Sequence, residues 1–149
     1  MRLMAIDPGT THSGWVVMEG LNVVESGVCD NNEMIDIVDS HIGTLAIEMI
    51  ASYGMAVGKE VFETCLWIGR FMQIHGPNDC RLVYRKDVKL HLCGSPRAKD
   101  ANIRQALIDR WGGKAEAVGT VKKPGPLYGV KSHAWAALAV AVTALETKP

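Results

Sequence analysis

The hydrophobic pattern of the chain predicts a sheet of five strands. Apolar runs of about four to eight residues, bounded by Gly, Pro and polar residues, are typical of strands buried in a sheet. Such runs occupy residues 2–7, 13–19, 21–29, 43–50 and 80–84. The first three follow one another through short turns, so they predict an antiparallel meander, whereas helical segments separate the last two.

Apolar residues that recur every three to four positions predict four helices. These helices span residues 32–42, 57–75, 95–111 and 133–145. The first would bury Ile42, the third would begin at Ser95-Pro96, and the last would have Ser132 as its N-cap. A meander followed by alternating helices and strands predicts an α/β domain with a mixed five-stranded sheet flanked by helices.

Composition adds few constraints. With 149 residues, of which 48% are hydrophobic and 21% charged, the chain has the size and composition of one globular domain. It has neither an apolar run long enough to span a membrane nor the basic and apolar regions of a signal peptide. Its four cysteines form no CxxC pair, so we expect reduced thiols rather than a disulfide or a zinc site.

The net charge is zero, but the charges are unevenly distributed. Residues 1–80 carry eleven acidic and three basic side chains, whereas residues 81–131 carry twelve basic and four acidic ones. An acidic half suits cation binding, and a basic half suits a polyanion such as a nucleic acid. Alternatively, the two halves neutralise each other across the fold.

Two acidic residues lie near the ends of apolar strands. Asp7 precedes the tight turn at Pro8-Gly9, and Glu48 interrupts the apolar run 45–50. Neighbouring strands would bring the two carboxylates together, and such a pair suits Mg²⁺ or Mn²⁺. Two such ions can hydrolyse a phosphodiester by activating water and stabilising the leaving oxygen. The alternatives are an aspartate that caps its own turn and a glutamate that reaches solvent.

Four segments, in order, resemble the RuvC-like Holliday-junction resolvases of the RNase H-like superfamily, particularly their phage-type relatives. IDPGTTHSG resembles the opening strand with its DPGxxxxG signature, and LAIEMI resembles the strand with the second acid. VYRKDVKLHLCGSPRAKDANIRQALI resembles the family's basic segment and helix, and SHAWAALAVAV resembles its closing helix. The resemblance spans nearly the whole chain and implies a single RNase H-like nuclease domain over residues 1–149.

The resemblance also implies a function and a set of site residues. The protein would be a metal-dependent endonuclease that cleaves branched DNA as a homodimer, in the cytoplasm of a bacterial or phage-infected cell. Asp7, Glu48 and His133 would form the Mg²⁺ or Mn²⁺ site, with Asp7 bridging two ions and His133 binding metal or positioning water. Lys89 and Lys99 match basic positions that approach the scissile DNA. Neither a nucleotide cofactor nor a membrane is implied.

Basic side chains would supply phosphate contacts, which select DNA by shape more than by sequence. We expect these contacts from Arg81, Arg85, Lys86, Lys89, Arg97, Lys99, Arg104, Lys122, Lys123 and Lys131.

The chain departs from the family pattern at Ala136, where the resolvases usually have an aspartate. We therefore expect weaker metal binding, with a preference for Mn²⁺, and keep a second hypothesis: a branched-DNA binding module with weak or no nuclease activity. A third rests on IDPGTT, which also resembles the phosphate loop of actin-like ATPases and sugar kinases. Those proteins clamp a nucleotide between two such domains, and 149 residues leave no room for a second one.

Overall fold

The computed structural model describes residues 2–149, in which five strands form one mixed sheet of order β3-β2-β1-β4-β5. The strands are β1 (Arg2–Asp7), β2 (His12–Glu19), β3 (Asn22–Asp30), β4 (Thr44–Met49) and β5 (Cys80–Tyr84). The first three form the predicted antiparallel meander, while β1 pairs in parallel with β4, and β4 with β5. The predicted fold class is therefore confirmed.

Helices cover both faces of the sheet. They are α1 (Asn31–Ser40), α2 (Lys59–His75), α3 (Arg85–Cys93), α4 (Asp100–Arg110), α5 (Lys114–Ala117) and α6 (Ala134–Glu146). Because strand side chains alternate, Met4 and Ile6 of β1 pack on the side of α1 and α2. Leu3 and Ala5 pack on the opposite side, where α6 is the central helix.

The boundaries of two predicted helices are wrong. The helix predicted from Ser95-Pro96 begins at Asp100, because residues 95–98 form a turn in which the Ala98 N–H donates to the Ser95 carbonyl. The helix predicted as far as Ile42 ends at Ser40, and Ile42 is exposed instead of buried.

Two further features differ from the predicted pattern. Helices α3 and α5 are additional helices; α3 follows β5 directly, and Val88 is its one fully buried residue. Ser132 is not the N-cap of α6: it has a left-handed φ of 53°, and the N-cap position falls on His133, which makes no side-chain capping bond.

All four cysteines are free and half-buried. Within residues 2–149, no helix combines the length and apolar character needed to cross a membrane.

Candidate active site

The two predicted carboxylates meet at one edge of the sheet. In the parallel β1–β4 pair, Ile6 lies opposite Ile47, so Asp7 and Glu48 follow at the same level. Strand alternation places both on the face that α6 covers. Glu48 is only 8% exposed, and a carboxylate removed from water in this way requires a compensating partner.

The start of α6 brings His133 to this edge. Its Nδ1 lies 3.1 Å from Asp7 Oδ2, and its side chain is 67% exposed. Gly14 on β2 pairs with Asp7 and lies directly under His133, where an added Cβ would come within 2.4 Å of the His133 backbone. The final glycine of the DPGxxxxG segment is therefore required because α6 approaches the strand so closely.

A buried polar network supports the turn that follows Asp7. Asn31 donates from its side chain to the Gly9 carbonyl at 2.9 Å and accepts from Ser13 Oγ at 2.6 Å. Its backbone N–H donates to the Thr11 carbonyl at 2.8 Å. Asn31 and Ser13 are both almost completely buried, so these bonds fix the turn through groups that have no access to water.

Arg85, the first residue of α3, lies beside Glu48. One guanidinium nitrogen is 3.4 Å from Glu48 Oε1, and the other donates to the carboxylate of Asp100 at the start of α4. Glu48 belongs to β4 and Asp100 to α4, so Arg85 links two different elements at the site.

The electrostatics of the pair reflect burial first. The pKa of Glu48 is raised to about 7, first by burial and then by the charge of Asp7 and a hydrogen bond with it, while Arg85 opposes these effects. Burial also raises the pKa of Asp7, while a hydrogen bond from Glu48 and the charge of Arg85 lower it. A proton on Glu48 therefore stabilises the pair when no metal ion is bound.

The Asp7–Glu48 pair fits a hard divalent cation, because two converging carboxylates that otherwise share a proton are suitable ligands for it. Among residues 2–149, however, no three His, Cys, Asp or Glu side chains are grouped so that they could hold a metal ion. His133 contacts Asp7 but does not complete the predicted three-residue ligand set. A cation held by Asp7 and Glu48 would take its remaining ligands from water or from a phosphate.

A cleft of about 860 Å³ opens from the carboxylate pair. Lys86 and Lys89 of α3 line it, together with Tyr53 from the loop after β4, whose ring centre is 5.9 Å from Lys86 Nζ. A second cavity of about 390 Å³ adjoins it between α4 and α6, where Arg104 lies over the ring of Trp135. Both cavities are bordered by Arg85, Asp100, His133 and Ala136.

No protein-family model matches the chain, and no curated protein matches it. The Thermus thermophilus RuvC in complex with a Holliday junction substrate is 18% identical with a TM-score of 0.68. A second Thermus thermophilus RuvC structure has the same identity and a TM-score of 0.65, and each alignment covers 96% of this chain and 92% of the other. The chain has a RuvC-like fold.

Within this RuvC-like fold, the predicted DNA-binding residues separate into groups. Arg85, Lys86 and Lys89 line the cleft, and Arg104 lines the adjoining cavity. Five others are exposed and, within the described chain, border neither cavity; they are Arg97, Lys99, Lys122, Lys123 and Lys131.

Arg81 differs from these residues, because its guanidinium is engaged in hydrogen bonds within the protein. It lies at the start of β5, and its guanidinium donates to the carbonyls of Ala144, Thr147 and Lys148 and to the Thr147 hydroxyl at 2.7–3.0 Å. These acceptors belong to the end of α6 and the segment after it. Arg81 therefore anchors the C-terminal segment at the sheet edge opposite the carboxylates.

Sequence reasoning missed several residues that shape the site. Asn31 gave no signal, because a polar residue at a helix start is usually exposed. Asp100 carried a weak signal, since Asp87 is the one other acid in the basic segment of residues 83–108. Tyr53 lies in a loop without periodicity, so only the three-dimensional arrangement places it in the cleft.

Proposed function

We propose that this protein is a metal-dependent endonuclease that cleaves branched DNA, with residues 1–149 forming one nuclease domain. The observation that carries the proposal is the pair of the half-buried Asp7 and the buried Glu48 at the base of a cleft whose wall presents Lys86 and Lys89. Carboxylates at the base and cations on the wall suit a metal ion and a phosphodiester, respectively. The fold is shared with a protein solved on a Holliday junction, which favours branched DNA as the substrate.

The proposed mechanism assigns a task to each side chain. Asp7 and Glu48 would hold Mg²⁺ or Mn²⁺, which when bound activates water and stabilises the leaving oxygen. His133, donating from Nδ1 to Asp7 Oδ2, presents Nε2 as an acceptor that could take a proton from the attacking water. Lys89 would pair with the phosphate in the cleft, and the exposed Lys99 would bind the DNA backbone farther away.

A second candidate function is a branched-DNA binding module with weak or no nuclease activity. Ala136 supports it, because this residue borders the cleft without supplying a carboxylate, and a second ion would lack a ligand from α6. The two candidates share the fold and the basic cleft, and they differ in whether one carboxylate pair with His133 suffices for hydrolysis.

Cleavage of a labelled four-way junction in Mg²⁺ and separately in Mn²⁺ distinguishes the candidates. We expect paired nicks in the junction and none in a linear duplex of the same sequence, with higher activity in Mn²⁺. Asp7→Asn serves as the control for a contaminating nuclease. Tight binding of the junction without nicks in either metal would favour the binding module, and equal cutting of the linear duplex would contradict selectivity for branches.

The proposed homodimer has support in α2. Phe62 and Leu66, one helical turn apart, are 63% and 62% exposed on the side turned away from the sheet. Adjacent exposed apolar side chains mark interaction surfaces, and a two-fold dimer matches a substrate that needs two symmetric cuts. Sedimentation velocity should give a dimer that Leu66→Lys converts to monomer; a wild-type monomer at micromolar concentration would contradict it.

A further inference from the structure

The predicted contact with DNA phosphates does not explain why Arg85 lies between two carboxylates. Its guanidinium lies between Glu48, at the base of the cleft, and Asp100, which is exposed at the start of α4. The contact with Glu48 is long, at 3.4 Å, and the side chain of Arg85 is 38% exposed. A half-exposed arginine with two carboxylate partners can give up one of them while the other still holds it.

Ala136 and Arg85 border the same part of the site, between the cleft and the adjoining cavity. At this place, α6 contributes the methyl group of Ala136, whereas α3 contributes the positive charge of Arg85. The base of the cleft contains a cation even without a metal ion, and this cation contacts one of the two carboxylates that a metal would bind.

We propose that Arg85 is the built-in counter-ion of Glu48, which an incoming divalent cation displaces onto Asp100. This proposal rests on the proposed function, since it concerns the same carboxylate pair. The guanidinium and a metal ion compete for Glu48, so metal binding includes the loss of the Arg85–Glu48 contact. Asp100 lowers the cost of that loss because it retains the displaced arginine at the mouth of the cleft, where a DNA phosphate would lie.

Titration of the metal-free protein with Mn²⁺ alone tests the proposal by calorimetry at pH 8.5, where protons compete little for Glu48. We expect Arg85→Ala to bind Mn²⁺ about fivefold more tightly than wild type, a change in the range of a partly exposed ion pair. Arg85→Gln, which keeps polar atoms near Glu48, should change affinity in the same direction. Lys86→Ala is the matched control, because it removes the same charge from the next residue and should change affinity less than about twofold.

Substitution of Asp100 tests more specifically whether this carboxylate acts through Arg85. Asp100→Asn should weaken Mn²⁺ binding about threefold in the wild-type background, because Arg85 then loses its alternative partner. In the Arg85→Ala background the same substitution should have almost no effect, since Asp100 acts through Arg85.

The possible outcomes distinguish a failure of this inference from a failure of the proposed function. If wild type binds Mn²⁺ but Arg85→Ala and Lys86→Ala bind it equally well, Arg85 is not a competitor, and this inference fails while the proposed function stands. Equal effects of Asp100→Asn in both backgrounds would likewise overturn the role of Asp100. If neither wild type nor any variant binds Mn²⁺, the metal-dependent function itself fails.

Discussion

Arg81 and Arg85 lie at opposite ends of the same strand, and their surroundings differ in kind. Arg81 donates four hydrogen bonds to neutral oxygens near the end of α6, whereas Arg85 contacts two carboxylates, one at the base of a cleft and one at its mouth. The first arrangement engages both terminal nitrogens of the guanidinium and closes that end of the sheet. The second borders the cleft, so that end of the sheet is open to a ligand. Arg81 and Arg85 therefore differ in their contacts because they lie at opposite ends of β5.

Among substitutions at the open end of the sheet, where the cleft lies, the removal of Asp7 should have the largest effect. Asp7→Asn should reduce junction cleavage by at least about a thousandfold, because the cation loses one of two carboxylate ligands, while junction binding is retained. Gel-based cleavage and binding assays on the same junction would measure both. The substitution also relieves the repulsion of the carboxylate pair, so the thermal unfolding midpoint should not fall. Full activity in this variant would refute the metal assignment.

Gly14→Ala should have the next largest effect on cleavage. Its Cβ would meet the His133 backbone at 2.4 Å, so α6 must move away from Asp7. We expect a loss of cleavage of about a hundredfold, since misplacing a catalytic group by about 1 Å has effects of that size. Gly69→Ala on α2 is the matched control, because its added Cβ meets nothing within 4 Å. Comparable losses in both variants would show that the close contact with His133 is not the cause.

Arg81→Ala tests the contribution of Arg81 to stability at the closed end of the sheet, opposite the cleft. We expect the free energy of unfolding to fall by about 2–3 kcal/mol, as the acceptors of α6 lose a shared charged donor. Cleavage per folded molecule should stay unchanged, in contrast to every substitution at the open end. Denaturant unfolding gives the first quantity, and Arg110→Ala, which removes a surface pair with Glu146, should cost only about 0.5 kcal/mol. A selective loss of junction affinity in Arg81→Ala would instead return this residue to the DNA-binding set.

Ala136→Asp should give the smallest change, and that change should be a gain in metal affinity. A carboxylate added at the border of the cleft should tighten Mg²⁺ binding about threefold and reduce the preference for Mn²⁺. Calorimetric titration with each ion measures the ratio directly. Thr120→Asp, which adds the same charge on an exposed loop, controls for a general electrostatic effect. No difference between the two variants would mean that position 136 does not face the bound ion.

The sequence predicted those parts of the fold that depend on local patterns. The apolar runs around Asp7 and Glu48 determined their strands, and the strand order then brought the two carboxylates together. Helix α3 was missed because its apolar period is weak, with Val88 as its single fully buried residue. Arg81 and Arg85 could not be distinguished in advance, because the partners of Arg81 lie 63 to 67 residues away along the chain and those of Arg85 lie 37 and 15 residues away.

The contact between His133 and Asp7 joins residues 126 positions apart. Because the ribosome makes a chain from its N-terminus, Asp7 and Glu48 are synthesised before His133 and α6, and α6 can dock on the sheet only after its own residues have emerged. Until then, the chain holds the carboxylates without the histidine and without the helix that covers their face of the sheet. The proposed activity should therefore be absent from a chain that stops before α6.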